Sequence, residues 1–183
     1  MATYTEPAGS RTSLTTTALN SLASNTYVSA GTIDVSSTDP IDVIVEVEAT
    51  PGTITAPSFV NVFLQASFDN SAFGTGPTSG TTATDEPVLH LLGALPCPTN
   101  STLQRKSFSV KAALGFVPPY FKVIVRNVTG AALASSGHAV NYTTSSCSSI
   151  SIRSSGSSGL LKRITGPLAC FSPARMSLIR SSN

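Results

Sequence analysis

The sequence predicts an all-β fold, a single antiparallel β-sandwich of jelly-roll-like form. Three observations lead there. Apolar residues recur with period two in one short run after another. Pro, Gly, Asn and Asp separate those runs at short intervals. No stretch shows a convincing 3.6-residue apolar period. Seven or eight short strands at this spacing fit an antiparallel sandwich better than an α/β fold.

The elements follow in order. Residues 1–25 are polar and Thr/Ser-rich and read as an N-terminal arm; residues 26–144 read as the sandwich domain. TYVSAGTIDV (26–35) is a weak strand. In IDVIVEVEA (41–49), Ile41, Val43, Val45 and Val47 share one face, and Asp42, Glu46 and Glu48 share the other. In SFVNVFLQASF (58–68), Val60, Val62, Leu64, Ala66 and Phe68 form an apolar face opposite a mixed one. VLHLLGAL (88–95) is apolar on both faces and reads as buried. In LQRKSFSVKAAL (103–114), Phe108, Val110, Ala112 and Leu114 face one way. In YFKVIVRNV (120–128), Phe121, Val123 and Val125 oppose Lys122 and Arg126. ALASSGHAVNYTT (132–144) supplies the last strand. The expected core includes Val43, Val45, Val62, Leu64, Val110, Val123 and Val125. Pro51-Gly52, Asp69-Asn70, Pro96 to Asn100, Pro118-Pro119 and Asn127 to Gly130 supply the turns.

Charge narrows the class of partner. Only 11% of the residues are charged, against about a quarter in ordinary globular proteins. A surface so poor in charge suits one that meets other protein. All nine acids lie at or before Glu86, so residues 1–90 carry −8 and residues 91–183 carry +10. That polarity points to an oppositely charged partner or to head-to-tail contact between copies, with a closed trimer as the simplest ring. Nucleic acid is not expected, because the bases are spread singly and few aromatics lie near them. No membrane-spanning segment is expected, since no apolar run approaches 18 residues. The opening MATYTEPAGSRTS also lacks the pattern of a secretory signal.

Residues 145–183 form a Ser-rich, basic C-terminal tail with no acid. Its apolar and basic stretch 160–180 is broken by Pro167 and Pro173 and lacks a clean amphipathic period. Lipid contact is therefore less apt than protein contact. The expected protein-interface residues are Leu160, Leu161, Lys162, Arg163, Phe171, Arg175 and Arg180.

The residues that could carry chemistry are few. The two histidines have no evident partners, and no G-x-S-x-G elbow is present. His90 lies in an apolar run and reads as a core or interface residue; His138 follows Ser-Ser-Gly and reads as a turn or surface residue. Cys97, Cys147 and Cys170 contain no C-x-x-C pair and read as free thiols, although a Cys147–Cys170 disulfide is possible. Glu46 and Glu48, with Asp42, could ligate calcium or do acid/base chemistry. A solvated or interface-facing strand surface is the plainer reading. The glycine-rich loop 74–80 has no lysine and is not a phosphate loop. No catalytic residue, metal or cofactor is expected.

LNSLASNTYVSAGTIDVSSTDPIDVIVEVEA (19–49), FVNVFLQASFD (59–69), LLGALP (91–96) and FKVIVRNVTGAALASSGHAVNY (121–142) together resemble a group of small tailed-phage virion proteins. These are capsid decoration or head-associated proteins with a β-sandwich. The likeness covers roughly residues 12–144, and its motifs are structural. It implies a non-catalytic virion component on the capsid surface, assembled in the host cytoplasm and bound to the major capsid protein. The alternative is a receptor- or carbohydrate-binding module of a tail or fibre. A loop cluster drawn from Tyr4, Tyr27, Tyr120 and Tyr142 would favour that alternative.

Overall fold

The computed structural model describes residues 9–55 and 58–146. Nine strands account for most of their regular structure: β1 (Thr12–Thr15), β2 (Tyr27–Asp34), β3 (Asp42–Ala49), β4 (Phe59–Ser67), β5 (Ser79–Gly80), β6 (His90–Pro96), β7 (Gln104–Ser109), β8 (Tyr120–Val128) and β9 (Ala139–Ser145). One short helix, α1 (Val110–Leu114), and a single 3-10 turn, Glu86–Val88, interrupt them. The strands form two antiparallel sheets. One has the order β1-β9-β3-β7, the other β5-β2-β8-β4-β6. The expected all-β sandwich is present.

Alternation explains the layering. Val43, Val45 and Val47 of β3 point inward from the four-stranded sheet. Val60, Val62 and Leu64 of β4 and Phe121, Val123 and Val125 of β8 meet them from the five-stranded sheet. All nine are fully buried. The central strands are Val-rich because a β-branched side chain packs well on a pleated, buried surface. All seven residues expected in the core, Val110 included, are at 0% exposure.

Three expectations need correction. The N-terminal arm is not all arm: β1 pairs with β9 at Thr12↔Tyr142 and Ser13↔Asn141, and Leu19 and Leu22 are buried in the core. A four-residue strand with one leucine shows no period, so only its β-branched threonines hint at it. The run 88–95 is not buried throughout. Its strand begins at His90 and lies at a sheet edge, with β4 as its one ladder partner, and His90 and Leu91 are exposed. The run 103–114 is not one strand. Ser109 ends β7 and caps α1, its Oγ accepting from the Ala112 N–H at 2.9 Å. Asp42 accepts from the Lys111 N–H at 2.9 Å and from Ser109 Oγ at 2.6 Å. Gly115, at φ 81°, closes the helix in the left-handed conformation. Val110 is therefore core while Ala112 is exposed.

One side of the sandwich is closed by a glycine. A Cβ on Gly93 of β6 (φ +155°) would come within 2.7 Å of the Phe108 ring of β7. Its absence lets that ring cover the edge, while Lys106 Nζ donates to the Ala94 carbonyl at 2.9 Å.

The antiparallel pairing places the β1–β2, β3–β4, β6–β7 and β8–β9 connections at one end. The β2–β3, β4–β6 and β7–β8 connections lie at the other.

Candidate functional site

The first end is knitted together by its own backbone. Asn127, fully buried, donates through Nδ2 to the carbonyls of Leu22 (2.8 Å) and Ala131 (2.7 Å). Its Oδ1 accepts from the Thr129 N–H and hydroxyl. His138 belongs to the same web. Its Nδ1 accepts from the Thr50 N–H at 3.1 Å, and its Nε2 faces the Ala134 carbonyl at 2.8 Å. With an N–H on one side and a carbonyl on the other, the ring serves as acceptor at Nδ1 and donor at Nε2. Of the turn or surface placement expected for His138, the turn holds and the surface does not: it follows the Ser135-Ser136 bend and is buried, with both ring nitrogens in hydrogen bonds. His90 starts β6 at the opposite end and is exposed, not core, so the two histidines do not converge.

Cys97, Glu46 and Glu48 are likewise committed. Cys97 is a free thiol at 0% exposure, and burial pushes its pKa to about 11. Glu46 and Glu48 lie on the outer face of the four-stranded sheet, clamped by two arginines. Arg11 pairs with both carboxylates, and Arg105 Nη2 lies 2.9 Å from Glu48. The Glu46 hydrogen bond, foremost, holds the Arg11 pKa above its usual value. The third acid of that group, Asp42, caps α1. No group of three metal-ligating side chains occurs among the described residues. The groove beside Arg11, Glu46 and Asn141 encloses about 180 Å³, less than the roughly 300 Å³ at which small-molecule sites begin.

The outer face of the five-stranded sheet is covered by the long β4–β6 connection. Leu89 from that connection joins Tyr27, Phe63 and Ile124 in a second apolar cluster. Phe73 lies under the Lys122 ammonium, 3.9 Å from Nζ to the ring centre. Gln65 donates to the Gly74 carbonyl. Glu86 takes hydrogen bonds from the Tyr27 hydroxyl and from Arg126 Nη1, the latter at 2.7 Å. The glycine-rich loop is thus a cover for a sheet face.

The second end differs. Phe68 follows β4 and Phe116 follows α1; their rings stack 6.4 Å apart at an interplanar angle of 7°. They are 74% and 48% exposed. Phe68 was expected on a buried strand face, but β4 ends one residue before it. Of the exposed carboxylates at this end, Asp69 follows Phe68 in the β4–β6 connection, and Asp34 and Asp39 belong to the end of β2 and the β2–β3 connection. Asp69 accepts from the Ser71 and Ala72 N–H groups at 2.9 and 2.8 Å, which hold its pKa well below the usual carboxylate range. Asp34 is lowered in the same way, first by the Ser36 hydroxyl. This solvent-exposed aromatic pair, with Asp69 next to Phe68 in sequence and Asp34 and Asp39 at the same end of the sandwich, is the candidate functional surface. Strand periodicity could not reveal the ring pair, because Phe68 and Phe116 lie just beyond the ends of β4 and α1.

The tail residues expected at an interface, Leu160, Leu161, Lys162, Arg163, Phe171, Arg175 and Arg180, lie outside the described residues, as do Cys147, Cys170 and Tyr4.

No protein-family model, no curated protein and no solved structure matches this chain.

Proposed function

We propose that this protein is a structural virion component that decorates or cements a bacteriophage capsid through protein–protein contacts. The observation that carries the reading is the Phe68/Phe116 pair. Two phenyl rings stacked on each other in water at one end of the sandwich suit a surface that another protein covers. The committed states of His138, Cys97, Glu46 and Glu48 agree with a binding role, not a chemical one. The strand order adds support. With the two-residue β5 set aside, the sheets read 1-8-3-6 and 2-7-4-5 in the order of the eight long strands. We read that as a jelly roll, an architecture found in viral capsid and lectin domains alike. In this reading the protein is a homo-oligomer, most simply a trimer. It sits on the capsid surface against the major capsid protein and is assembled in the host cytoplasm.

The test is co-sedimentation with empty shells built from the major capsid protein of the same virus. Stoichiometric pelleting is the expected result. A chain that stays in the supernatant at all concentrations would overturn the reading.

The second reading, a carbohydrate- or receptor-binding module, rests on the same ring pair, because sugars stack on exposed aromatic faces. The tyrosines lend it little support. Tyr27 is buried, and Tyr120 and Tyr142 are half-buried within strands. Glycan-array binding abolished by Phe116→Ala would favour it over the capsid role.

A further inference from the structure

We infer that the Phe68/Phe116 end of the sandwich is the seat for the apolar, basic segment 160–180 of a second copy of this chain. The inference rests on the oligomeric part of the function proposed above and names the contact that would build the oligomer.

The seat has two chemical features. Its apolar part is the stacked ring pair, with Phe68 74% and Phe116 48% exposed. Its polar part is acidic: Asp34, Asp39 and Asp69 are exposed, against the exposed Lys111 and a half-buried Lys122 whose ammonium lies over Phe73. Hydrogen bonds from their own loops hold Asp34 and Asp69 in place as acceptors. A fitting occupant is therefore a segment in which apolar side chains alternate with bases and acids are absent.

One segment of this sequence has that composition. Residues 160–180, LLKRITGPLACFSPARMSLIR, carry Lys162, Arg163, Arg175 and Arg180 among eight large apolar residues, with no acid. The described residues, by contrast, hold eight acids and six bases, a net charge of −2. Leu161 directly precedes Lys162, an apolar anchor next to a base, as Phe68 directly precedes Asp69, an aromatic next to an acid. Charge complementarity of this kind sets register and partner choice, and the buried rings supply the anchor.

The experiment is sedimentation velocity on the full chain over a concentration series, at low and high salt. Wild type is expected to self-associate, less so at high salt. Phe68→Ser with Phe116→Ser, and separately Arg163→Glu with Arg175→Glu, should each weaken association about tenfold or more. Both variants should keep the wild-type β circular dichroism spectrum. Adding Asp34→Lys and Asp69→Lys to the tail double variant should restore association. An excess of a synthetic 160–180 peptide carrying Cys170→Ser should dissociate the wild-type oligomer. A monomer at every concentration, or an oligomer indifferent to both variants and to the peptide, overturns the inference. Shell binding is measured on the same proteins. Lost self-association with shell binding intact in wild type sinks this inference alone. Intact self-association without shell binding sinks the capsid reading alone.

Discussion

Tyr27 and Glu86 stand 59 residues apart and meet in one hydrogen bond, the buried phenol donating to the carboxylate. Arg126 holds the same carboxylate at 2.7 Å and lies over the Tyr27 ring, 5.0 Å from its centre. This triad fastens the β4–β6 cover to the sheet beneath it. Burial, and then the Glu86 hydrogen bond, push the Tyr27 pKa up to about 12 from an ordinary 10. The folded state thus keeps a proton that the unfolded chain loses. The resulting stability is fully present below pH 10 and declines as pH rises from 10 toward 12. Glu86→Gln removes a hydrogen bond to a charged acceptor and the negative charge. The Tyr27 titration should move part of the way back toward 10, read by ultraviolet absorbance with Tyr27→Phe as control. The cover should also exchange its amides faster while the core stays protected.

Asp69 makes the opposite pH prediction. Its carboxylate accepts two backbone N–H groups at the turn after β4, so its folded pKa lies below the ordinary 3.8. Its stabilisation is present above that ordinary value and is lost as pH falls through the lowered one. Asp69→Asn should therefore be less stable than wild type at neutral pH, and the gap should narrow in acid. Denaturant midpoints at pH 7 and pH 2 measure it.

The two histidines should behave differently on truncation. His138→Ala leaves the Thr50 N–H and the Ala134 carbonyl without their partner in a buried position. Each orphaned group costs about 1–3 kcal/mol. His90→Ala removes an exposed side chain at a strand start, where substitutions usually change stability by about 0.5 kcal/mol or less. Urea denaturation of the pair checks the contrast, and equal effects would contradict this account of His138.

The sandwich was legible because two-residue periodicity reports burial directly. Every second residue of β3, β4 and β8 touches the core, and the sequence alternates accordingly. Failures cluster where that link breaks. β1 is too short and too polar to show a period, β6 has a free edge, and α1 is one turn set by Ser109, Asp42 and Gly115 rather than by an apolar stripe. His138 and the Phe68/Phe116 pair were hidden for a related reason. Their environments are made by residues far away in the chain, such as Thr50 for His138 and, for each ring, the other ring 48 residues away.

Gly130 tests the packing of the first end. It sits at φ +84°, and a Cβ there would fall 1.7 Å from the Thr55 hydroxyl oxygen. Gly130→Ala combines a left-handed backbone with that overlap. A left-handed residue alone costs about 1–2 kcal/mol. The β3–β4 connection would also have to shift, breaking the Thr55 N–H bond to the Thr129 carbonyl, 2.9 Å long. Thermal unfolding should show a larger loss for Gly130→Ala than for Thr55→Ser. Recovery of stability in Gly130→Ala with Thr55→Gly would identify the overlap as the cause.

Cys97 offers a probe of how the core opens. It follows β6 at 0% exposure, its N–H bonded to the Ser58 carbonyl at 3.1 Å and its sulfur 3.6 Å from the Leu95 carbonyl. Burial both shields the sulfur and raises its pKa to about 11, so at pH 8 little thiolate exists and none of the sulfur is in contact with solvent. In a Cys147→Ser, Cys170→Ser protein this is the single thiol. Labelling by a disulfide reagent should then wait for an opening that exposes the β6 end of the core. If that opening is global, Leu64→Ala should speed labelling. This distant core truncation costs about 2–5 kcal/mol, and the rate should rise by the factor its measured destabilisation dictates. If labelling is fast in the native protein, or indifferent to Leu64→Ala, the edge strand β6 opens by itself. The Phe108 ring over Gly93 would then be a weaker closure than its burial implies.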